Sequence, residues 1–207
     1  MKKYIIEFIG TLFLVLIIAL TGNPIAIGFG LSALIYMGAH ISGAHYNPAV
    51  SLAMAINNQI KLKELGLYIL SQFLGAVVAT LLVIFLGYEF NVVPNTDNIS
   101  SLFTAEILFT FLLVFVILNV ALNENLKGNQ FFGIAIGLTV MTGAFSVGDI
   151  SGAVFNPAVS FGPSFVSLFN TEILDENVSS VDFFLYYLIT GIIGSVMASF
   201  TYKKVSK

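Results

Sequence analysis

The chain has 207 residues, of which 57% are hydrophobic and 9% charged, with a formal net charge of −3 and a mean hydropathy of +0.97. Soluble domains are roughly 25% charged, so there is too little charge to cover a water-exposed surface, and the composition points to a membrane protein. With no cysteine the chain has no disulfide, thiol nucleophile or cysteine zinc site, and with no basic run longer than two residues it has no nucleic-acid footprint.

The first residues, MKKYIIEFIGTLFLVLIIALTG, have the outline of a secretory signal. The apolar stretch is too long for one, carries Glu7 inside it and lacks a small-x-small cleavage site. It reads as a retained first membrane helix. A span needs about 20 mostly apolar residues, and six stretches qualify, about 4–22, 25–43, 65–88, 102–122, 130–148 and 183–202. Two shorter apolar pieces follow Asn47 and Asn156. They are too short to cross a bilayer and read as re-entrant half-helices.

The lysines set the orientation. They lie at 2, 3, 61, 63, 127, 203, 204 and 207, and there is no arginine. With six spans and an internal N-terminus, all of them fall on the cytoplasmic side, as the positive-inside rule requires. The loops around 87–101 and 168–182 are then external. They carry the triplets Asn98-Ile-Ser100 and Asn177-Val-Ser179, which match glycosylation sequons.

An internal repeat runs through the chain. Residues 41–51 read ISGAHYNPAVS and residues 150–160 read ISGAVFNPAVS, agreeing at nine of eleven positions. Glu7 and Thr11 in the first span match Glu106 and Thr110 in the fourth. Tyr68 and Gly75 in the third match Tyr187 and Gly194 in the sixth. Each half, about 1–95 and about 96–207, holds three spans and one half-helix. Three is odd, so the second copy enters from the opposite face: one channel domain over 1–207, built as an inverted-topology repeat with its site near the midplane.

Asn-Pro is a helix-start signal, asparagine suiting the N-cap and proline the first helical position. Half-helices opening at Asn47-Pro48-Ala49 and Asn156-Pro157-Ala158 should meet head to head, each N-terminus carrying roughly half a positive charge. Such a pair repels cations and protons from a pore. The amides of Asn47 and Asn156 are expected to donate to a passing oxygen. The preceding Ile-Ser-Gly-Ala segments are expected to run extended, with acceptor carbonyls at Gly43–Tyr46 and Gly152–Phe155. Glu7 and Glu106 are expected to accept the backbone N–H groups that these loops leave unpaired. The glycines at 10, 66, 75, 87, 133, 137, 191 and 194 are expected at close helix approaches.

Two such motifs in an inverted repeat resemble the aquaporins of the major intrinsic protein family, over essentially the whole chain. The resemblance implies an all-α fold of six transmembrane helices plus two half-helices, assembled as a homotetramer. It gives Glu7 and Glu106 the loop-bracing role, and it places His45 on the cytoplasmic half of the pore with Gly43, Ala44 and Gly152 along the lining. His40 matches a histidine of the water-conducting branch. Counting from the two motifs puts the outer filter at Ile27, Ala144, Ala153 and Val159. Most members have arginine at the last of these. Here valine stands there, and the filter is small and apolar. Ser160, Phe161-Gly162-Pro163 and Tyr186-Tyr187 resemble the water branch.

The implied function is passive conduction of water and other small neutral solutes across the cell membrane, excluding protons and ions, with both termini cytoplasmic. The wider outer ring leaves a second reading, a channel mainly for larger neutral solutes such as glycerol or ammonia. A secondary transporter would want ionisable residues at the midplane, where both candidates have structural uses. No nucleophile–base pair, metal cluster or phosphate loop suggests an enzyme. Two histidines without neighbouring carboxylates or cysteines do not make a metal site, and no cofactor is called for.

Overall fold

The computed structural model describes residues 1–89, 98–170, 174 and 179–206. Lys207, the loop residue Asn95 and the sequon at Asn177 lie outside the described residues. The chain order is α1 (Lys2–Thr21), α2 (Pro24–Ser42), α3 (Pro48–Ile56), α4 (Leu62–Phe85), α5 (Ile99–Leu122), α6 (Phe132–Ser151), α7 (Pro157–Ser167) and α8 (Ser180–Val205), with a short 3₁₀ turn at Glu124–Leu126. All but α3 and α7 are long and apolar enough to cross a membrane. Their bounds fall within a few residues of the expected spans.

Packing follows the repeat. The pair α1–α4 is matched by α5–α8, α1–α2 by α5–α6, and α3–α8 by α7–α4. Two contacts join an element to its own counterpart, α2 to α6 and α3 to α7, so the pseudo-twofold axis passes between them. Each half-helix thus rests mainly on the other repeat's last span. Neither repeat is complete alone.

Glycine sets the closest approaches. A Cβ on Gly75 would lie 2.5 Å from the Phe8 carbonyl of α1, and one on Gly194 would lie 2.9 Å from the Ile107 carbonyl of α5, the same crossing in each repeat. On the axis, a Cβ on Gly28 would come within 2.7 Å of the Gly137 carbonyl. In lipid, helix association depends on such fitted backbone contact rather than on burial of apolar surface. Gly10, Gly133 and Gly191 face the Tyr46 ring, the Tyr36 ring and Pro157, as expected of close approaches. Gly66 and Gly87 correct that expectation. Open space surrounds both, and Gly87 ends α4 in a turn at φ +77°.

The outer surface is apolar, unlike that of a water-soluble domain, and the apolar core also encloses charged and polar side chains. Phe13, Phe29, Leu74, Leu81, Phe145 and Phe200 are exposed, whereas Glu7, Gln72, Glu106 and Thr190 are fully buried. The described lysines gather at one end of the bundle. Lys3 pairs with Glu64 at the start of α4, and Lys203 donates to the Ile56 carbonyl at 2.6 Å. That last bond sets a cation at the C-terminus of α3, where it complements the helix dipole.

Gly75→Val should lower the stability of the purified protein by about 1–3 kcal/mol through overpacking. Gly66→Ala, in open space, should change it by no more than about 1 kcal/mol and in the stabilising direction. Thermal midpoints in detergent read both, and equal midpoints for the two variants would refute the crossing's role.

Candidate functional site

The two Asn-Pro-Ala stretches meet at the centre. Asn47 caps α3, its Oδ1 accepting from Ala49 N at 2.8 Å, and Asn156 caps α7 in the same way through Ala158 N at 3.0 Å. Pro48 and Pro157 occupy the first helical positions, where a missing N–H leaves nothing unpaired. The caps are also tied to each other. Asn47 Nδ2 donates to the Phe155 carbonyl at 2.8 Å, and Asn156 Nδ2 donates to the Tyr46 carbonyl at 3.0 Å. The first use of each amide is therefore to hold the opposite loop. One N–H of each pair remains beyond that bond, and the carbonyls of Tyr46 and Phe155 are already taken.

The segments before each asparagine are not extended as expected. Ile41–Ser42 and Ile150–Ser151 complete α2 and α6, and left-handed Gly43 and Gly152 end those helices. Ala44 and Tyr46 then take φ of 52° and 50°, and Ala153 and Phe155 take 49° and 47°. Left-handed backbone at alanine and aromatic residues is strained, so something must hold it.

Two carboxylates do so. Glu7 Oε1 accepts from Ser42 Oγ at 2.7 Å and His45 N at 3.0 Å, and its Oε2 accepts from Tyr46 N at 2.7 Å. Glu106 repeats the pattern with Ser151 Oγ at 2.7 Å, Val154 N at 3.0 Å and Phe155 N at 2.8 Å. Each serine hydroxyl accepts in turn from the N–H two residues on, Ala44 or Ala153. Tyr68 and Tyr187 donate to the Ser42 and Ser151 carbonyls, which gives the matched tyrosines a role. A further donor, Gln72 in α4, donates from Nε2 to Glu7 Oε2 at 2.8 Å and to Ser51 Oγ at 2.9 Å. Sequence reasoning missed Gln72 and Ser51. The helical spacing Tyr68, Gln72, Gly75 puts the glutamine on the same face as two repeat markers, and that was the available signal.

One cavity of about 1150 Å³ runs through this centre. It reaches from Gly22, Pro24 and Asp149 at one end to Gln59, Ile60 and Lys127 at the other. Asn47, Asn156, His45, Gly43, Ala44 and Gly152 line it, as do Ile27, Ala144, Ala153 and Val159. The sequence-chosen positions thus share one wall. Pro48, Ala49, Pro157 and Ala158 lie behind it and are buried. His40 is outside the lining.

The repeat register adds a relation that motif counting did not reveal. Ile27, Ala144, Ala153 and Val159 correspond to Ile136, Ile35, Ala44 and Val50 of the other half, and these too line the cavity. With valine at 159, the outer ring has become the twofold mate of an inner ring. The mates differ in one respect: isoleucine at 35 faces the inner half where alanine at 144 faces the outer.

Glu106→Ala would strand the buried N–H groups of Val154 and Phe155, each worth roughly 1–3 kcal/mol, and should sharply lower folded yield. Ser151 Oγ would keep the Val147 carbonyl at 3.3 Å. Thr110 Oγ1, by contrast, is buried without a partner among the described residues. Thr110→Val should therefore be neutral or stabilising by up to about 1 kcal/mol, since it removes an unpaired polar atom. Detergent thermal midpoints compare the two, and a loss on Thr110→Val as large as on Glu106→Ala would refute this accounting of the loops.

Comparison with known proteins agrees with this geometry. Residues 1–202 match the family model described as Major intrinsic protein. Nodulin-26 of Glycine max is 33% identical over 99% of this chain and 78% of its own length. Glycerol uptake facilitator protein-like 6 of Lactiplantibacillus plantarum is 34% identical, over 97% of this chain and 96% of its own. The X-ray structure of the aquaglyceroporin from Plasmodium falciparum superposes with a TM-score of 0.82, covering 99% of this chain and 96% of that one at 24% identity. That likeness is one of fold. A whole-length family match, relatives above 30% identity and two half-helices meeting at paired asparagines make this chain a member of the major intrinsic protein family of membrane channels.

Proposed function

We propose that the chain is a passive pore for water and small neutral solutes, excluding protons and other cations at its centre. The observation that carries this reading is the single cavity lined by both capping asparagines and by a ring without arginine. The positive ends of α3 and α7 converge there, and a cation meeting two such ends without its water shell is repelled. A neutral molecule is not. The second amide N–H of Asn47 and of Asn156 serves as donor to a passing oxygen, while carbonyls of the two loops accept.

Without a guanidinium, the outer ring of Ile27, Ala144, Ala153 and Val159 is wider and uncharged. Fewer hydrogen-bond partners there slow water, while width admits molecules larger than water. Width prevails for ammonia, methylamine, hydrogen peroxide or glycerol, with moderate water flow. The relative named as a glycerol uptake facilitator supports this range of solutes. Glu7 and Glu106 brace the loops and carry no ion, so the transporter reading lacks a site. The pore works as a homotetramer in the cell membrane, its exposed apolar faces covered by lipid and by neighbouring copies.

Val159→Arg should cut glycerol and methylamine permeability of proteoliposomes about tenfold more than water permeability, since it restores bulk and fixed charge to the ring. If the parent passes water alone and the variant keeps the same solute range, the wide-ring reading fails.

The proposed orientation has a separate test. Single cysteines placed at Lys3, Asn125 or Ser206 should resist an impermeant thiol reagent in intact cells. One at Leu168, which is 60% exposed, should react. External labelling at Lys3 or Ser206 would reverse the topology.

A further inference from the structure

The two rings of the cavity match at three of four positions, but the side chains beside them differ in hydrogen bonding. Ser51 of α3 and Ser160 of α7 hold equivalent places. Ser160 Oγ turns back to the Pro157 carbonyl of its own helix at 3.1 Å. Ser51 Oγ lies instead between Gln72 Nε2 at 2.9 Å and His45 Nδ1 at 3.0 Å. The second repeat has neither partner: glycine stands at 191 where the first has Gln72, and valine at 154 where it has His45.

The direction of each bond follows from Glu7. A carboxylate oxygen accepts, so the Gln72 atom 2.8 Å from Glu7 Oε2 is the amide nitrogen. The second hydrogen on that nitrogen goes to Ser51 Oγ. Ser51 is fully buried, and among the described residues its own hydrogen has one acceptor in reach, His45 Nδ1. Were Nδ1 protonated, two donors would converge on the serine oxygen and the hydroxyl hydrogen would be stranded, a costly arrangement in a buried site. A neutral imidazole carries one N–H, which therefore sits on Nε2. That end of the ring lies over Gly43, where a Cβ would be 3.1 Å from Nε2, and both residues line the cavity. Gln72 Oε1 is buried with no partner among the described residues. The glutamine is thus held by what its nitrogen does.

The outer ring offers no hydrogen-bonding side chain. The inner ring has the bulkier Ile35 and adjoins His45 through Ala44. We propose that the solute filter of this pore lies in its inner half. Gln72 and Ser51 are positioning residues that hold His45 with its proton on Nε2, and this fixed donor, beside Ile35, Ile136 and Val50, favours neutral molecules that bring it an acceptor lone pair on oxygen or nitrogen. A site built around a fixed donor rejects solutes that cannot use it. The inference rests on the cavity's being a conducting pore.

The test uses the full chain, labelled with ¹⁵N-histidine, in lipid nanodiscs at pH 8, where an ordinary histidine is neutral. The chain has two histidines, and His40→Gln assigns the signals of His45. The parent should show an unprotonated Nδ1 and a protonated Nε2. Gln72→Leu and Ser51→Ala should each give mixed tautomers, while Ser51→Thr, which keeps the hydroxyl, should retain the parental pattern. In proteoliposomes, Ser51→Ala should lower water flow about three- to tenfold, the worth of one hydrogen bond, whereas Ser160→Ala and Ser51→Thr should leave it unchanged. A proton on Nδ1 in the parent, a tautomer unmoved by both Gln72→Leu and Ser51→Ala, or equal flow in Ser51→Ala and Ser160→Ala would overturn the proposal. A parent that conducts no solute would overturn the pore reading instead, and the spectra would still decide the His45 assignment independently.

Discussion

Backbone that leaves the helix inside a bilayer must find partners within the protein, because lipid supplies none. This chain does so twice, at residues 43–47 and 152–156, and both times it places alanine and an aromatic residue in left-handed backbone. The buried carboxylates of Glu7 and Glu106 make that possible by gathering consecutive N–H groups at 2.7–3.0 Å. The rest of the centre depends on these two clamps. They aim the loops so that Asn47 reaches the Phe155 carbonyl and Asn156 the Tyr46 carbonyl, and that reciprocal tie fixes where α3 and α7 begin. An ionisable group within a span is by default a candidate for ion transport. Here, among the described residues, four donors surround Glu7 and three surround Glu106, all of them groups of the loops and the helices that hold them.

Inverted repeats bring matched residues to a common axis, and departures from the match then locate what differs between the two sides. In the spans and clamps the match is close: Phe8 with Ile107, Gly75 with Gly194, Ser42 with Ser151. Around the centre of the cavity it breaks at His45, whose mate is Val154, and at Ile35, whose mate is Ala144; behind the wall, Gln72 has glycine as its mate. These three departures put the larger or more polar group in the inner half, while Ser146 and Asp149 stand toward the other mouth. Valine at 159 removes the departure that would otherwise distinguish the outer half, a bulky cation.

The same asymmetry bears on the proposed conduction. Two helix N-termini repel cations from the centre by charge alone, which asks nothing of the outer ring. Discrimination among neutral molecules requires shape and hydrogen-bond partners. The outer ring is apolar on all sides, so in the proposed reading it sets a width without setting a chemistry.

The sequence by itself determined the membrane class, the six spans, the two half-helices and their inversion. Each of these follows from local features: span-length apolar runs, Asn-Pro caps and the parity of a repeated unit. It also marked Asn47, Asn156, Glu7, Glu106 and His45, because polar residues in apolar surroundings stand out and their spacing was duplicated. Only the tertiary structure decided what those groups bond to. The amides of Asn47 and Asn156 are spent first on the opposite loop, a contact between residues more than a hundred positions apart. The loops are left-handed rather than extended, because the carboxylates that hold them come from other helices. Gln72 and Ser51 gained their meaning in the same way: one lies on α4 and the other on α3, and nothing in either local stretch says that they meet His45. Side-chain hydrogen bonds across a fold depend on where distant helices cross, and in this chain those crossings are set by the fit of glycines such as Gly75 and Gly28 against carbonyls far along the chain.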